Sequence, residues 1–269
     1  MRVLLPVLLL PLPLFAQEKP DLGKLLMVRK GTLPVVVSAP HGGRLAIPGA
    51  EERTGTGVEK FVTVNDTNTD QLAEKVAAAI KKELGGEPYV VVAHFQRKFV
   101  DANRPPEGGY ESDITKPVYL AYHKALKEAC DDIQKQWGRG LVLDLHGQSA
   151  KADTIFRGTN DLKTVARLTN RFGRKAVTGP DSVLGVLAKK GYTVFPANDA
   201  DEKEDKRFNG GYIAKTYGGS SGTGLDALQL ELGGDHRSRK NLDAFAADLA
   251  LGVKAFTKAY LPEKKKDEK

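Results

Sequence analysis

The chain has 269 residues, 41% of them hydrophobic and 28% charged, with a formal net charge of +7. That length supports one sizeable core, and no shift in composition marks a second, so a single catalytic α/β domain is expected over residues 31–262. The one cysteine, Cys130, excludes an internal disulfide. The positive charge lies on helical faces and in Lys264-Lys265-Lys266 without interleaved aromatics, which argues against a nucleic-acid partner and leaves a preference for acidic substrates.

In chain order, Met1-Arg2, the apolar stretch Val3 to Phe15 and the small residue Ala16 read as a signal peptide over residues 1–16, so export is expected. The stretch is shorter than the roughly 20 apolar residues that span a bilayer, and no cysteine follows it, which argues against a membrane or lipid anchor. A polar leader is expected over 17–30. Val35-Val36-Val37-Ser38-Ala39-Pro40 then reads as a buried strand running into His41-Gly42, followed by a long loop to Asn68. The polar run Asn65 to Asp70 has the pattern of a helix N-cap, and Asp70 to Leu84 is amphipathic and ended by Gly85-Gly86.

Tyr89 to Ala93 reads as a strand and Phe99 to Asn103 as a further one, broken by Pro105-Pro106. Lys116 to Trp137 is a long helix whose Cys130 is expected to be buried and inert. Leu141-Val142-Leu143-Asp144-Leu145 is a second strand running into His-Gly, at His146-Gly147. Helices over Leu162 to Phe172 and Ser182 to Lys190, strands over Tyr192 to Pro196 and Ala227 to Leu232, a closing helix over Leu242 to Tyr260 and a charged tail over 263–269 complete the reading. Gly218 to Gly224 resembles a phosphate loop in composition alone, since no Lys-Ser/Thr follows and a strand comes next. The alternation predicts a mixed, largely parallel sheet with helices on both faces.

Two histidines at the carboxyl edges of strands, where open α/β sheets bind their ligands, point to a metal held by His41 and His146. A third ligand is expected from the carboxylates of the 65–70 segment. Glu231 lies in Leu228-Gln229-Leu230-Glu231-Leu232, where an unpaired carboxylate would be costly and its pKa raised, as suits a general base for amide hydrolysis. Arg104 is a candidate anchor for a substrate carboxylate, with an ion pair to Asp101 as the competing structural role.

In their order along the chain these motifs resemble the N-formylglutamate amidohydrolase family, related in fold to the zinc carboxypeptidases (phosphorylase/hydrolase-like). The resemblance rests on Pro40-His41-Gly42-Gly43, Asn68-Thr69-Asp70, Arg97 with Asp101-Ala102-Asn103-Arg104, and Tyr122-His123. It continues through Asp144-Leu145-His146-Gly147, Asn209-Gly210-Gly211-Tyr212 with Tyr217-Gly218, and Gln229-Leu230-Glu231. It implies one zinc ion on His41, His146 and Asp70, with Asp66 the alternative, and Glu231 as catalytic base. Asn103, Arg104, Gly211 and Arg97 are implied in substrate binding, and Asp144 in orienting a histidine. The sequence departs from the family pattern at Gly42, where serine is frequent, and in an acidic, lysine-rich insertion from Asp199 to Lys206 that bears on substrate choice.

The expected reaction is hydrolysis of a formyl, other acyl or peptide amide on a small carboxylate-bearing substrate by an exported enzyme without stable membrane insertion. A carboxypeptidase-like or peptidoglycan-peptide amidase is the alternative. A non-catalytic binder of acidic amino-acid derivatives is the second.

Overall fold

The computed structural model describes residues 19–219 and 224–264. The expected signal peptide, residues 220–223 of the glycine-rich run and the tail from 265 onward lie outside them. Among the described residues no helix is long and apolar enough to cross a membrane.

Among the described residues seven strands form one sheet: β1 (Leu26–Arg29), β2 (Val35–Ala39), β3 (Tyr89–Ala93), β4 (Leu141–Gly147), β5 (Thr154–Gly158), β6 (Thr193–Phe195) and β7 (Asp226–Leu232), in the order β1-β3-β2-β4-β7-β5-β6. The pairs β2/β3, β2/β4, β4/β7 and β5/β6 are parallel, while β1/β3 and β5/β7 are antiparallel, so the sheet is mixed and mostly parallel as expected. The central strands β2, β3 and β4 are hydrophobic on both faces, as strands covered on both sides must be.

The helices are α1 (Leu22–Leu25), α2 (Thr69–Leu84), α3 (Pro106–Gly109), α4 (Lys116–Trp137), α5 (Ala166–Phe172), α6 (Lys175–Thr178), α7 (Val183–Lys189), α8 (Tyr212–Tyr217) and α9 (Leu242–Tyr260). Alternation along the strands divides the core. Val35, Val37 and Leu143 pack with Leu72 and Val76 of α2, Leu184 of α7 and Leu249 and Val253 of α9. Val36, Val142 and Ala227 face the other way, onto Val118, Tyr122 and Leu126 of α4 and Ile213 of α8.

Three expectations need correction. The polar leader drawn to residue 30 ends earlier: Asp21 caps the Gly23 and Lys24 amides, and Leu26–Arg29 pairs antiparallel with β3. Four apolar-to-basic residues beside lysines were too short to show a strand period. Phe99 to Asn103 is a turn, because Phe99 and Arg104 close turns on the carbonyls of Gln96 and Asp101 while Phe99 and Val100 are buried. β5 was missed; its sequence Thr-Ile-Phe-Arg-Gly carries a charge in the interior, with Arg157 only 2% exposed. The long loop 42–68 is ordered around buried Arg53, which donates to the carbonyls of Val62, Arg97 and Gly108.

Candidate active site

Parallel register places the site. Across β4 and β7, Asp144 pairs with Gln229 and His146 with Glu231, while Ser38 of β2 pairs with Asp144. Residues two apart on a strand share a face, so Asp144, His146, Gln229 and Glu231 all stand on the α4/α8 side at the carboxyl edge. His41 ends the neighbouring β2, and its ring centroid lies 4.9 Å from that of His146, at an interplanar angle of 73°.

Asp66 joins the two rings. Its Oδ2 lies 3.3 Å from Nδ1 of His41 and 3.3 Å from Nδ1 of His146, and one ligand atom from each of the three residues lies within 4.8 Å of the others. Each imidazole is held from behind: Nε2 of His41 is 2.7 Å from Asp101 Oδ1, and Nε2 of His146 is 2.9 Å from Asp144 Oδ2. With the Nε2 protons donated to these carboxylates, both Nδ1 atoms face Asp66, the orientation a metal ligand needs once Nδ1 carries no proton. Asp101 is itself held by Arg97 Nε at 2.9 Å and the Asn103 amide at 3.0 Å, and Asp144 by the hydroxyl of Ser38.

The carboxylate preferred from the family pattern, Asp70, is not in this group. It occupies the first turn of α2 behind the His41-Gly42 turn, and a Cβ on Gly42 would lie 2.2 Å from its amide nitrogen. That contact is also why no serine fits at position 42. Nor is the polar run a simple cap: Asn68 at the N-cap makes no side-chain cap bond, and its side chain instead accepts from Arg44 and donates to the Arg237 carbonyl. Asp66 is fixed by its own amide on the His41 carbonyl and by the Gly147 amide on its Oδ2.

Glu231 faces the triad from β7. Burial pushes its pKa up to about 8; His146 and Arg97 oppose that shift, while Asp66 and Asp144 add to it. Burial would lower the pKa of His146, but Asp144 and Asp66 outweigh it and raise it well above the ordinary value. Burial would raise Asp66, yet His41 and His146 bring it well below. Gln229 orients the base: its Nε2 donates to Glu231 Oε1 at 2.8 Å, while its Oε1 accepts from the Gly211 amide at 2.7 Å. Spacing i, i+2 is what lets Gln229 reach Glu231.

The other expected residues gather around this centre with distinct parts. Asn103 Oδ1 accepts from the Ile213 amide, and its Nδ2 lies 3.3 Å from His146 Nε2 and 3.5 Å from Gln229 Oε1. Gly211 packs so closely on Asn103 that a Cβ would lie 2.1 Å from its Nδ2. Arg104 does not pair with Asp101; it donates to the carbonyls of Asn103 and Lys60 and has no carboxylate within salt-bridge distance among the described residues. Arg97, expected at the substrate, is instead committed to Asp101 and lies 3.6 Å from Asp66. His123 is outside the site, between the Tyr217 hydroxyl and the Ala102 carbonyl, with its pKa lowered to about 4 by burial. Asp101 was not expected as the partner of His41, and Lys206, Lys215 and Tyr212 were not expected in the cavity wall.

A cation suits this donor set. Four carboxylates, Asp66, Asp101, Asp144 and Glu231, are at least nine-tenths buried, and Arg53 and Arg97 lie within ion-pair distance of Asp101 and Asp66. Two imidazole nitrogens and a carboxylate oxygen converging in a buried site make the mixed N/O donor set that a divalent ion takes.

The comparisons with known proteins support a hydrolase of the amidohydrolase kind. The resemblance to N-formylglutamate amidohydrolases is shown by comparison: that family's model matches residues 111–236. N-formylglutamate deformylase of Pseudomonas putida is 24% identical over 242 residues, covering 78% of this chain and 83% of that one. The crystal structure of N-formylglutamate amidohydrolase from Ralstonia eutropha JMP134 superposes with a TM-score of 0.58 at 18% identity, covering 88% of this chain and 97% of that one. A gene product of Agrobacterium tumefaciens gives a TM-score of 0.56 at 17% identity, covering 88% and 96%.

Proposed function

We propose that this chain is an exported, zinc-dependent amidohydrolase that cleaves the acyl amide of a small carboxylate-bearing amino-acid derivative, with an N-formyl-glutamate-like compound as the simplest substrate. The observation that carries the reading is the meeting of two Nδ1 atoms and Asp66 Oδ2 opposite a buried glutamate on the adjacent strand. A zinc ion on His41, Asp66 and His146 would polarise the acyl carbonyl, acidify water and favour the carboxylate form of Glu231.

Glu231 takes the proton of the attacking water on a carboxylate oxygen and returns it to the departing amide nitrogen. Gln229 keeps that carboxylate aimed at the reacting atoms, and Asp101 and Asp144 hold the two rings in one tautomer. Arg104 grips the substrate carboxylate, and the Asn103 amide group donates to it or to the acyl oxygen. Arg97 acts one step back, holding Asp101 and Asp66. The export signal read in residues 1–16 supports a location outside the cytoplasm, which N-terminal sequencing of the mature protein tests.

Purified protein should carry about one zinc per chain, release formate from N-formyl-glutamate and lose that activity on chelation. Full activity after complete removal of metal, or binding of the compound without turnover at any metal loading, would refute the assignment.

A further inference from the structure

The cavity over the site has a volume of about 920 Å3, near the upper end of the roughly 300–1,000 Å3 usual for ligand pockets. One N-acylated amino acid fills only a small part of it. The wall is also lopsided in charge, since the charged side chains added to the catalytic group are all cationic: Lys60, Arg104, Lys206, Arg207, Lys215 and Arg237.

Three of these six already donate to protein acceptors, Arg104 among them, to the carbonyls of Asn103 and Lys60. Arg207 is doubly bonded to Asp205, and Arg237 spends its guanidinium on the carbonyls of Thr67, Gln148 and Leu232. Lys60, Arg104, Lys206 and Lys215 form no ion pair among the described residues, although other lysines of this chain, such as Lys75, Lys124 and Lys127, do. A single substrate carboxylate can engage one or two of the four.

The placement of Lys206 is built into the fold. The segment carrying it is pinned by Glu204, whose side chain is 1% exposed and accepts from Arg157 Nε and the amides of Thr159 and Asp161. Lys215 is held on α8, whose first residue, Tyr212, also lines the cavity. Both lysines line the same cavity as Gly211 and Gln229.

We infer that the substrate is an extended acidic peptide: an N-acylated oligopeptide whose successive carboxylates leave the scissile amide and run along Lys206, Lys215, Arg104 and Lys60. This rests on the amidohydrolase reading above, because the amide at the metal triad must belong to the same molecule as the carboxylates. A phosphate-rich polymer offers no such bond.

The test compares N-formyl-glutamate, N-formyl-triglutamate and N-formyl-trialanine as substrates of the zinc-loaded protein. Separately, calorimetry measures binding of N-acetyl-triglutamate and N-acetyl-glutamate to the metal-free protein. Triglutamate is expected to exceed glutamate in kcat/KM at low salt, with an advantage that shrinks as ionic strength rises. The double variant Lys206→Ala/Lys215→Ala should lower kcat/KM for triglutamate about three- to tenfold more than for glutamate. Equal kcat/KM values for the three substrates, or an equal loss for all of them in the variant, would overturn the inference. Should the loaded protein cleave none of them, the amidohydrolase reading fails, and calorimetry still decides this one: tighter, salt-sensitive binding of triglutamate supports the acidic groove, and equal binding of the two ligands refutes it.

Discussion

Replacing Glu204 removes the buried anchor of the segment that walls the cavity. Its Oε1 accepts from Arg157 Nε at 2.9 Å and from the Thr159 hydroxyl, and its Oε2 accepts from the amides of Thr159 at 2.8 Å and Asp161 at 3.0 Å. These bonds close a turn in which Asn160, Asp161 and Leu162 all have positive φ, a conformation unfavourable for leucine above all. Glu204→Ala leaves the Arg157 guanidinium, already with an unbonded Nη1, alone in the interior. Breaking one side of a buried ion pair costs about 3–5 kcal/mol, a large part of the ~5–15 kcal/mol that a domain holds in total.

Urea unfolding at neutral pH measures this directly. Arg157→Ala should cost a similar amount, but the double variant should cost less than the sum by ~2 kcal/mol or more, because neither partner is then left charged without the other. The two amides still lose their acceptor, so the double variant does not return to the parent stability. Because the same segment leads to Phe208 and Gly211 in the cavity wall, KM should rise in Glu204→Ala while bound zinc is retained. A single variant within about 1 kcal/mol of the parent, or strict additivity in the cycle, would show that the ion pair does not hold the loop.

Glu231→Gln should lower kcat by about 10²- to 10⁴-fold with zinc content and circular dichroism unchanged; a normal rate would remove the general base. Asp66→Asn should lose bound metal while Asp70→Asn keeps it, and metal analysis of the two purified variants separates the two carboxylates. Asp226, at the start of β7, accepts from the Leu168 amide, and burial raises its pKa from 3.8 to about 6 against the opposing Arg167 and Arg171. A raised folded value means stability present below pH 3.8 and lost as pH climbs through about 6. From pH 4 to 7.5, Asp226→Asn should therefore gain on the parent by ~2–3 kcal/mol in urea unfolding, and a constant gap would refute the burial argument.

What the sequence made legible follows from which signals are local. Strand-end histidines and the Gln229/Glu231 pair depend on hydrophobic runs and a two-residue period, and both stand where that period puts them. Asp144 obeys the same period, which the structure resolves in favour of His146: i and i+2 share a face and its carboxylate reaches that ring. Asp101 was not, because its contact with His41 spans sixty residues and depends on a turn that the apolar Phe99-Val100 pair disguised as a strand. The choice between Asp66 and Asp70 turned on Asn68, whose φ of 67° reverses the chain between them. Asparagine tolerates that conformation without announcing it, so the pattern of a helix start favoured the carboxylate on the wrong side of the turn. The cationic wall was hidden for the opposite reason: exposed lysines look alike in sequence, and nothing local marks Lys206 and Lys215 as sharing one cavity with Glu231.

The carboxylates behind the two rings link folding to the ion. Asp101 and Asp144 are wholly buried, and each is spent on a histidine whose other nitrogen points at Asp66. Such an arrangement concentrates negative charge in the interior, which is costly for the folded chain alone and favourable once a divalent cation sits among the ligands. Any ion that binds the folded form and not the unfolded one adds RT ln(1 + [L]/Kd) to stability, about 4 kcal/mol at a thousandfold excess over Kd. The side chains that would prepare the metal for catalysis are thus the same ones that would make the protein more stable when it is loaded. The buried glutamate on the next strand belongs to that balance too, since burial pushes its pKa up to about 8 and a cation beside it would favour the carboxylate.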